Sequence, residues 1–164
     1  MKQSLRNRCE ILTSNGIQLL TVPVQHGKEK KIQTKDVLID YSTNWQLIHV
    51  RALQTAYASA PYFEDYQSDV FQIILKKHQY LVEKNIQILD FLLNILDLNK
   101  TITYTESFLG DNEKSQSNKF IGRNKEVGFK YQQIIGFHSE FVSNLSMLDL
   151  LFNEGPISRK LLIG

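Results

Sequence analysis

The residues best suited to bind an anion lie near the amino terminus, where Lys2, Arg6, Asn7 and Arg8 are close in sequence. A guanidinium group can donate two parallel hydrogen bonds to a phosphate or carboxylate. These four residues are therefore candidates for holding the anionic part of a ligand. The alternative is an exposed basic strand face with no ligand.

A second candidate group follows within one predicted helix, and it contains Asn44, Trp45, His49 and Tyr57. Trp45, His49 and Tyr57 occur at multiples of four residues, so they share one helix face. An imidazole that titrates near neutral pH can accept a proton from an attacking amine, so His49 is a candidate general base. Trp45 and Tyr57 would then form a stacking wall; alternatively, all three are packed core residues.

Two further positions carry acids beside possible binding residues. Tyr62 and Glu64 follow Pro61 and could cradle a sugar or a base, although aromatic residues here could equally close the core. Glu106 lies at the end of a predicted strand, where ligand-binding groups are often displayed in α/β sheets. It is an alternative catalytic acid or base to His49.

Composition limits the possible functions. The 164 residues include 19 basic and 17 acidic side chains, so general electrostatic attraction to nucleic acid is not expected. The single cysteine, Cys9, cannot form an internal disulfide, and no signal sequence or membrane span is evident, which favours the cytoplasm. Metal-ligand spacings, glycine-rich phosphate loops and a serine-hydrolase elbow are also missing from the sequence, so no metal is expected and the cofactor is unknown.

The amino-terminal segment, which carries Arg6, Asn7 and Arg8, is predicted to form β-strands. Residues alternate from Leu5 to Ile11, the turn residues 14–16 follow, and Ile17–Val24 returns, which together predict a β-hairpin. A third short strand is predicted at Lys35–Asp40, with Val37 and Ile39 on one face.

The histidine-bearing helix is predicted from Thr43 to about Ala60. Thr43 is a suitable N-cap and Gln46 follows three residues later, as in a capping box. Pro61 ends this helix, and residues 62–66 are predicted to form a turn.

Later elements are predicted from periodicity and turn residues. Asp69–Val82 and Ile86–Leu96 form two helices or one kinked helix, with Ser68 and Asn85 as possible caps. Two more strands, one loop and one final helix complete the series: Thr101–Ser107, Phe129–Phe137, Gly110–Gly128 and Ser146–Asn153. Within this last motif, Asn144 and Asp149 are interpreted as residues that cap or orient the helix. The predicted fold is a single α/β domain, or alternatively α+β, with a small mixed sheet and about four helices.

Five segments, in order, resemble the WbqC-like family of bacterial proteins: KQSLRNRCEI, LLTVPV, KDVLIDYSTNWQLIHVRALQTAYASAPYFEDY, TYTES and NLSMLDLLFNEGP. Members often occur among genes for surface polysaccharides such as O-antigen, and transfer of an aminoacyl or acyl group to an amino sugar is among the proposed roles. The resemblance thus implies a transferase acting on a nucleotide-linked amino sugar. The alternative is a non-catalytic binding or assembly module, or an inactive truncated member.

The sequence departs from the family pattern in two places. Family members usually have a strand and turn before the lysine-glutamine-serine motif, whereas Met1 directly precedes Lys2, so the chain is expected to be short at its amino terminus. Val50 and Ser143 stand where a tryptophan and a proline are expected. The resemblance therefore predicts a pocket whose walls differ from those of typical members.

Overall fold

The computed structural model describes residues 5–25, 32–103, 128–134 and 140–163. Two strands and five helices lie in these ranges, together with short 3-10 turns. They are β1 (Arg8–Thr13), β2 (Gly16–Thr21), α1 (Trp45–Tyr57), α2 (Phe63–Leu75), α3 (Leu81–Ile95), α4 (Met147–Glu154) and α5 (Ser158–Ile163). The predicted α/β class with an amino-terminal hairpin packed by helices is confirmed. Among the described residues, the sheet consists of this two-stranded antiparallel hairpin, and the mixed sheet predicted around it is not seen there.

The predicted hairpin is present. β1 and β2 pair antiparallel from Arg8 opposite Thr21 to Thr13 opposite Gly16. Gly16 has φ of 102°, which only glycine adopts easily, and the Thr13 hydroxyl donates to its carbonyl at 2.7 Å. The hairpin buries Ile11 against the helices.

The prediction of a third strand at Lys35–Asp40 is wrong. A 3-10 turn occupies Thr34–Asp36, and the residues after it form only isolated bridges, from Ile39 to Val24 and from Leu38 to Tyr80. These residues pair alternately with chain segments on either side, and Pro23 has no N–H with which to extend a ladder. Val37 and Ile39 are nevertheless buried, as their shared face predicts.

The start of α1 differs from the prediction in a way that matters for the site. Asn44, not Thr43, precedes the first helical residue, and it makes no side-chain capping bond. The Gln46 amide does not complete a capping box, because it donates to the carbonyls of Ile74 and Leu75 at 2.6 and 2.7 Å. A tertiary contact has replaced the local one, and it ties α1 to the end of α2.

The segment after Pro61 is helix, not turn. α2 begins at Phe63, with Glu64 in its first turn, where negative charge is favourable. Ser68 therefore lies inside α2, and Asn85 lies inside α3, so neither caps a helix. Of the two alternatives for this region, separate helices are correct, although their boundaries differ from those predicted.

The carboxy-terminal helix is confirmed at α4. Its N-cap is Ser146, whose hydroxyl accepts from Leu148 N at 3.3 Å, so the capping role expected of Asn144 belongs to Ser146. The sequence does not predict α5, which follows Gly155 after a short 3-10 turn.

Two predicted strands, Thr101–Ser107 and Phe129–Phe137, fall partly on residues that the structure does not describe. The described parts of these segments, 101–103 and 129–134, have no strand, and their remaining residues lie outside the described ranges. The loop predicted at 110–128 lies outside them except for Gly128. Among the described residues, no helix has the length and apolarity to cross a membrane.

The core consists of two clusters of buried side chains. The larger joins the hairpin to α1, α2 and α4 and includes Ile11, Leu20, Leu53, Tyr57, Phe63 and Phe152. The smaller surrounds Trp45 with Val37, Ile39 and Leu81. Trp45 thus belongs to a cluster beside the main core.

Candidate functional site

A cavity of about 360 Å³ opens between the hairpin, α1, α3 and the start of α4. This volume is within the range of small-molecule sites, roughly 300–1,000 Å³. Its polar lining comes from Arg6, Asn7, Arg8, Cys9, His49, Lys84, Asn85 and Ser146. Its apolar lining comes from Leu20, Val22, Trp45, Leu53, Ile74, Ile88, Leu89, Leu92, Met147 and Leu148. The structure therefore brings the predicted arginine group and His49 to one site.

The two arginines of this site differ in their surroundings. Arg6 is exposed, and its guanidinium donates to the Thr34 hydroxyl at 2.7 Å. Arg8 is partly buried, and its Nε is a buried donor without a hydrogen-bond partner among the described residues. A buried donor without a hydrogen-bond partner is energetically costly, which distinguishes Arg8 from the other polar residues of this lining.

Asn7 lines the cavity but also has a structural role. Its side chain donates to the Val22 carbonyl at 3.0 Å, and its own carbonyl accepts from Val22 N at 2.9 Å. These two bonds join the ends of the hairpin. Asn7 thus fixes where β1 begins, and with it the position of Arg8.

Trp45 and His49 form an edge-to-face pair, with ring centroids 5.1 Å apart. The indole N–H of Trp45 donates to the Asp40 carbonyl at 3.1 Å, which fixes the ring plane against which His49 rests. Burial is the main cause that lowers the pKa of His49; a hydrogen bond to the Thr21 carbonyl opposes it, and the nearby Lys84 charge adds to it. His49 is therefore neutral at neutral pH and able to accept a proton.

Lys84 is the charged residue of this lining that the sequence did not predict as a site residue. It is only 1% exposed, and its ammonium donates to the carbonyls of Ile73, Ile74 and Lys76 at 2.8, 3.1 and 3.1 Å. These acceptors lie at the carboxyl end of α2, where positive charge is favourable. Burial, and then the neighbouring Lys76 charge, lowers the pKa of Lys84 to about 8.

A signal for Lys84 exists in the sequence. It lies three residues after Leu81 and four before Ile88, so it occupies the apolar face of an amphipathic helix. A lysine on such a face must find partners inside the protein. The pattern does not reveal that the partners are the open carbonyls of α2.

Cys9 and Ser146 lie at the boundary between this cavity and a second depression beside β1. Burial raises the pKa of the Cys9 thiol, although a hydrogen bond with Ser146 partly opposes this. A thiol that stays protonated is a weak nucleophile. Cys9 therefore acts here as a small apolar side chain.

Several predicted site residues do not line the cavity. Tyr57 is in the main core, Tyr62 packs on Gly155, and Glu64 is exposed and hydrogen-bonded to Gln67. Asn44 is exposed at the start of α1. Lys2 and Glu106 lie outside the described residues.

Tyr57 instead belongs to a buried polar cluster around Asp149 of α4. One Asp149 oxygen accepts from the Tyr57 hydroxyl at 2.8 Å, and the other accepts from Tyr131 at 2.6 Å and from Gln133 at 3.1 Å. Burial and the Asp149 carboxylate raise the pKa of both tyrosines. This cluster holds residues 131–133 against α1 and α4. Within the described chain, no group of three His, Cys, Asp or Glu residues is placed to hold a metal.

The chain is a mixed α/β protein with a cavity of small-molecule size that Arg6, Arg8 and Lys84 line on its cationic side. The chain belongs to the WbqC-like protein family, whose model matches residues 1–128. A curated relative, uncharacterized protein Rv1507c of Mycobacterium tuberculosis (strain ATCC 25618 / H37Rv), is 41% identical over 64 residues, which are 39% of this chain and 27% of the relative. The chain thus spans about a quarter of that relative's length in the match. No solved structure gives a significant match.

Proposed function

We propose that this protein is a cytoplasmic group-transfer enzyme that acylates the amino group of a nucleotide-linked amino sugar in surface-polysaccharide biosynthesis. The observation that carries the proposal is that Arg8, whose buried Nε has no hydrogen-bond partner among the described residues, lines the same cavity as His49. Membership of the family is consistent with this pathway.

Each residue has a defined task in this reaction. Arg8, with Arg6, holds the diphosphate of the sugar nucleotide. His49 accepts a proton from the sugar amine as its nitrogen attacks the carbonyl carbon of an acyl thioester. The C–N bond forms, the C–S bond breaks, and the proton passes from His49 to the departing thiolate.

The neutral state of His49 is what this task requires. Only the unprotonated imidazole can act as a base, and burial lowers the pKa of His49, which favours that form.

The test is product formation from UDP-glucosamine and a set of acyl-coenzyme A thioesters, followed by mass spectrometry of the sugar nucleotide. The parent protein should add the acyl mass. His49→Gln should lose at least about a hundredfold in rate, which matches the usual contribution of a general base. The matched control is His78→Gln, because His78 does not line the cavity and should leave the rate unchanged.

Two results would contradict the proposal. Equal rates in the parent and in folded His49→Gln would remove His49 from the reaction. Binding of UDP-glucosamine without any product from the whole thioester set would indicate a non-catalytic binding module instead.

A further inference from the structure

The walls of the cavity are mostly apolar, which a sugar nucleotide alone does not explain. α3 presents Lys84 and Asn85 at one end of the cavity and Ile88, Leu89 and Leu92 further along. From Lys84 to Leu92 the helix rises about 12 Å. The cavity thus has a polar end and a longer apolar part along α3.

Contacts to other elements fix the two ends. Asn85 donates to the Arg6 carbonyl at 2.9 Å, which places the polar end of α3 beside the arginine segment. Ser146 N donates to the Glu10 carbonyl at 2.7 Å, which places Met147 and Leu148 further along β1. The arginine segment therefore lies at one end, and half-buried or exposed side chains from α3 and α4 line the apolar part.

We infer that the apolar part of this cavity binds the hydrocarbon of the transferred acyl group, so that the enzyme uses an aliphatic acyl donor in preference to an aminoacyl one. The inference rests on the proposed function. A charged α-ammonium group buried among leucine and isoleucine side chains would lose its hydration without a partner. An aliphatic chain removes its own surface from water there and gains about 0.8 kcal/mol per buried CH₂.

The cationic side of the cavity also favours a ligand with a negatively charged head group. Arg6, Arg8 and Lys84 all line it, and its lining contains no acidic side chain among the described residues. An amphiphile with a negative head and an aliphatic tail matches both parts. A positive head on the same tail does not.

The test is calorimetric titration of the purified protein with octanoate, octylammonium and glycine. Octanoate should bind at least tenfold more tightly than either of the others. Glycine stands in for an aminoacyl group, and octylammonium carries the same tail with opposite charge. Glycine binding as tightly as octanoate would overturn the inference, and so would equal binding of octylammonium.

A variant locates the binding. Leu89 lines the cavity and is 44% exposed, so Leu89→Asp adds a negative charge there without emptying the core. It should weaken octanoate binding at least tenfold. Leu162→Asp, at 42% exposure on α5 and away from the cavity, is the matched control and should bind like the parent. Equal weakening by both variants would overturn the inference.

Titration with UDP-glucosamine separates this inference from the proposed function. If UDP-glucosamine binds and is acylated while octanoate does not bind, the acyl preference is wrong and the proposed function stands. If neither ligand binds the folded protein, both fail.

Discussion

The ammonium of Lys84 lies 5.4 Å from the ring centroid of Trp45, over its face. Trp45 in turn packs edge-to-face against His49. The Lys84 ammonium, the Trp45 indole and the His49 imidazole thus contact one another in sequence in the lining of the cavity. Lys84 also joins these residues to the end of α2, because its ammonium donates to three carbonyls there.

Lys84→Met should lower the free energy of unfolding by about 2–4 kcal/mol. The substitution keeps the length of the chain but removes the donor of three hydrogen bonds, and bonds from charged donors contribute more than neutral ones. Urea denaturation measures the effect. Lys100→Met is the control, since Lys100 is exposed, and a loss no larger than that of the control would refute this role for Lys84.

Acid should destabilise the protein in part through His49. Its pKa is lowered in the folded state from the ordinary value of 6.5, so below that pH the unfolded chain binds more protons than the folded one. The free energy of unfolding therefore falls as the pH drops below 6.5. His49→Gln should show a shallower fall when urea denaturation is compared at about pH 7.5 and about pH 5.5. An unchanged slope would mean that His49 has the same pKa in both states.

Tyr57→Phe should destabilise the fold by about 1–3 kcal/mol without affecting ligand binding. The hydroxyl donates to Asp149 and accepts from Leu12 N at 3.3 Å, so its removal leaves a buried carboxylate and a buried amide each short of one bond. Thermal unfolding followed by circular dichroism gives the comparison, with Tyr62→Phe as the control outside the cluster. Weaker UDP-glucosamine binding in a folded Tyr57→Phe protein would return Tyr57 to the ligand site.

Gly155→Ala should lower the free energy of unfolding by about 1–3 kcal/mol because positive φ strains a residue with a side chain. Gly155 has φ of 52°, and a Cβ there would lie 2.5 Å from ring atoms of Tyr62. Gly128→Ala is the matched control, since its Cβ would meet nothing within 4 Å. A thermal melt that shows equal effects for both variants would count against the Tyr62 contact.

Local patterns in the sequence predict part of this structure well. Alternation and turn residues locate the hairpin, and the predicted helix Ser146–Asn153 nearly coincides with α4, because these signals act within a few residues. Gln46 shows where such reasoning stops. Its spacing fits a capping box, but two carbonyls of α2, 28 and 29 residues away, accept its hydrogen bonds instead.

The same limit applies to the site. Arg8 and His49 are chosen from their chemistry, and the fold places both in one cavity. Tyr57 shares the helix face of His49, but it lies two turns further along α1. There its ring packs in the main core and its hydroxyl donates to Asp149. Helical spacing predicts which residues lie on the same face of a helix, but it does not predict which other elements each of them contacts.

The most direct test of the cavity as the functional site is fluorescence of Trp45, the sole tryptophan of the chain, during titration with UDP-glucosamine. Trp45 lines the cavity, so its emission should change saturably in the parent protein. Binding should weaken at least about tenfold in Arg8→Gln, an effect of about 1.4 kcal/mol. It should be unchanged in Arg51→Gln, which alters an exposed arginine on α1 away from the cavity. Absence of any change in the parent, or equal affinity in Arg8→Gln, would contradict the account.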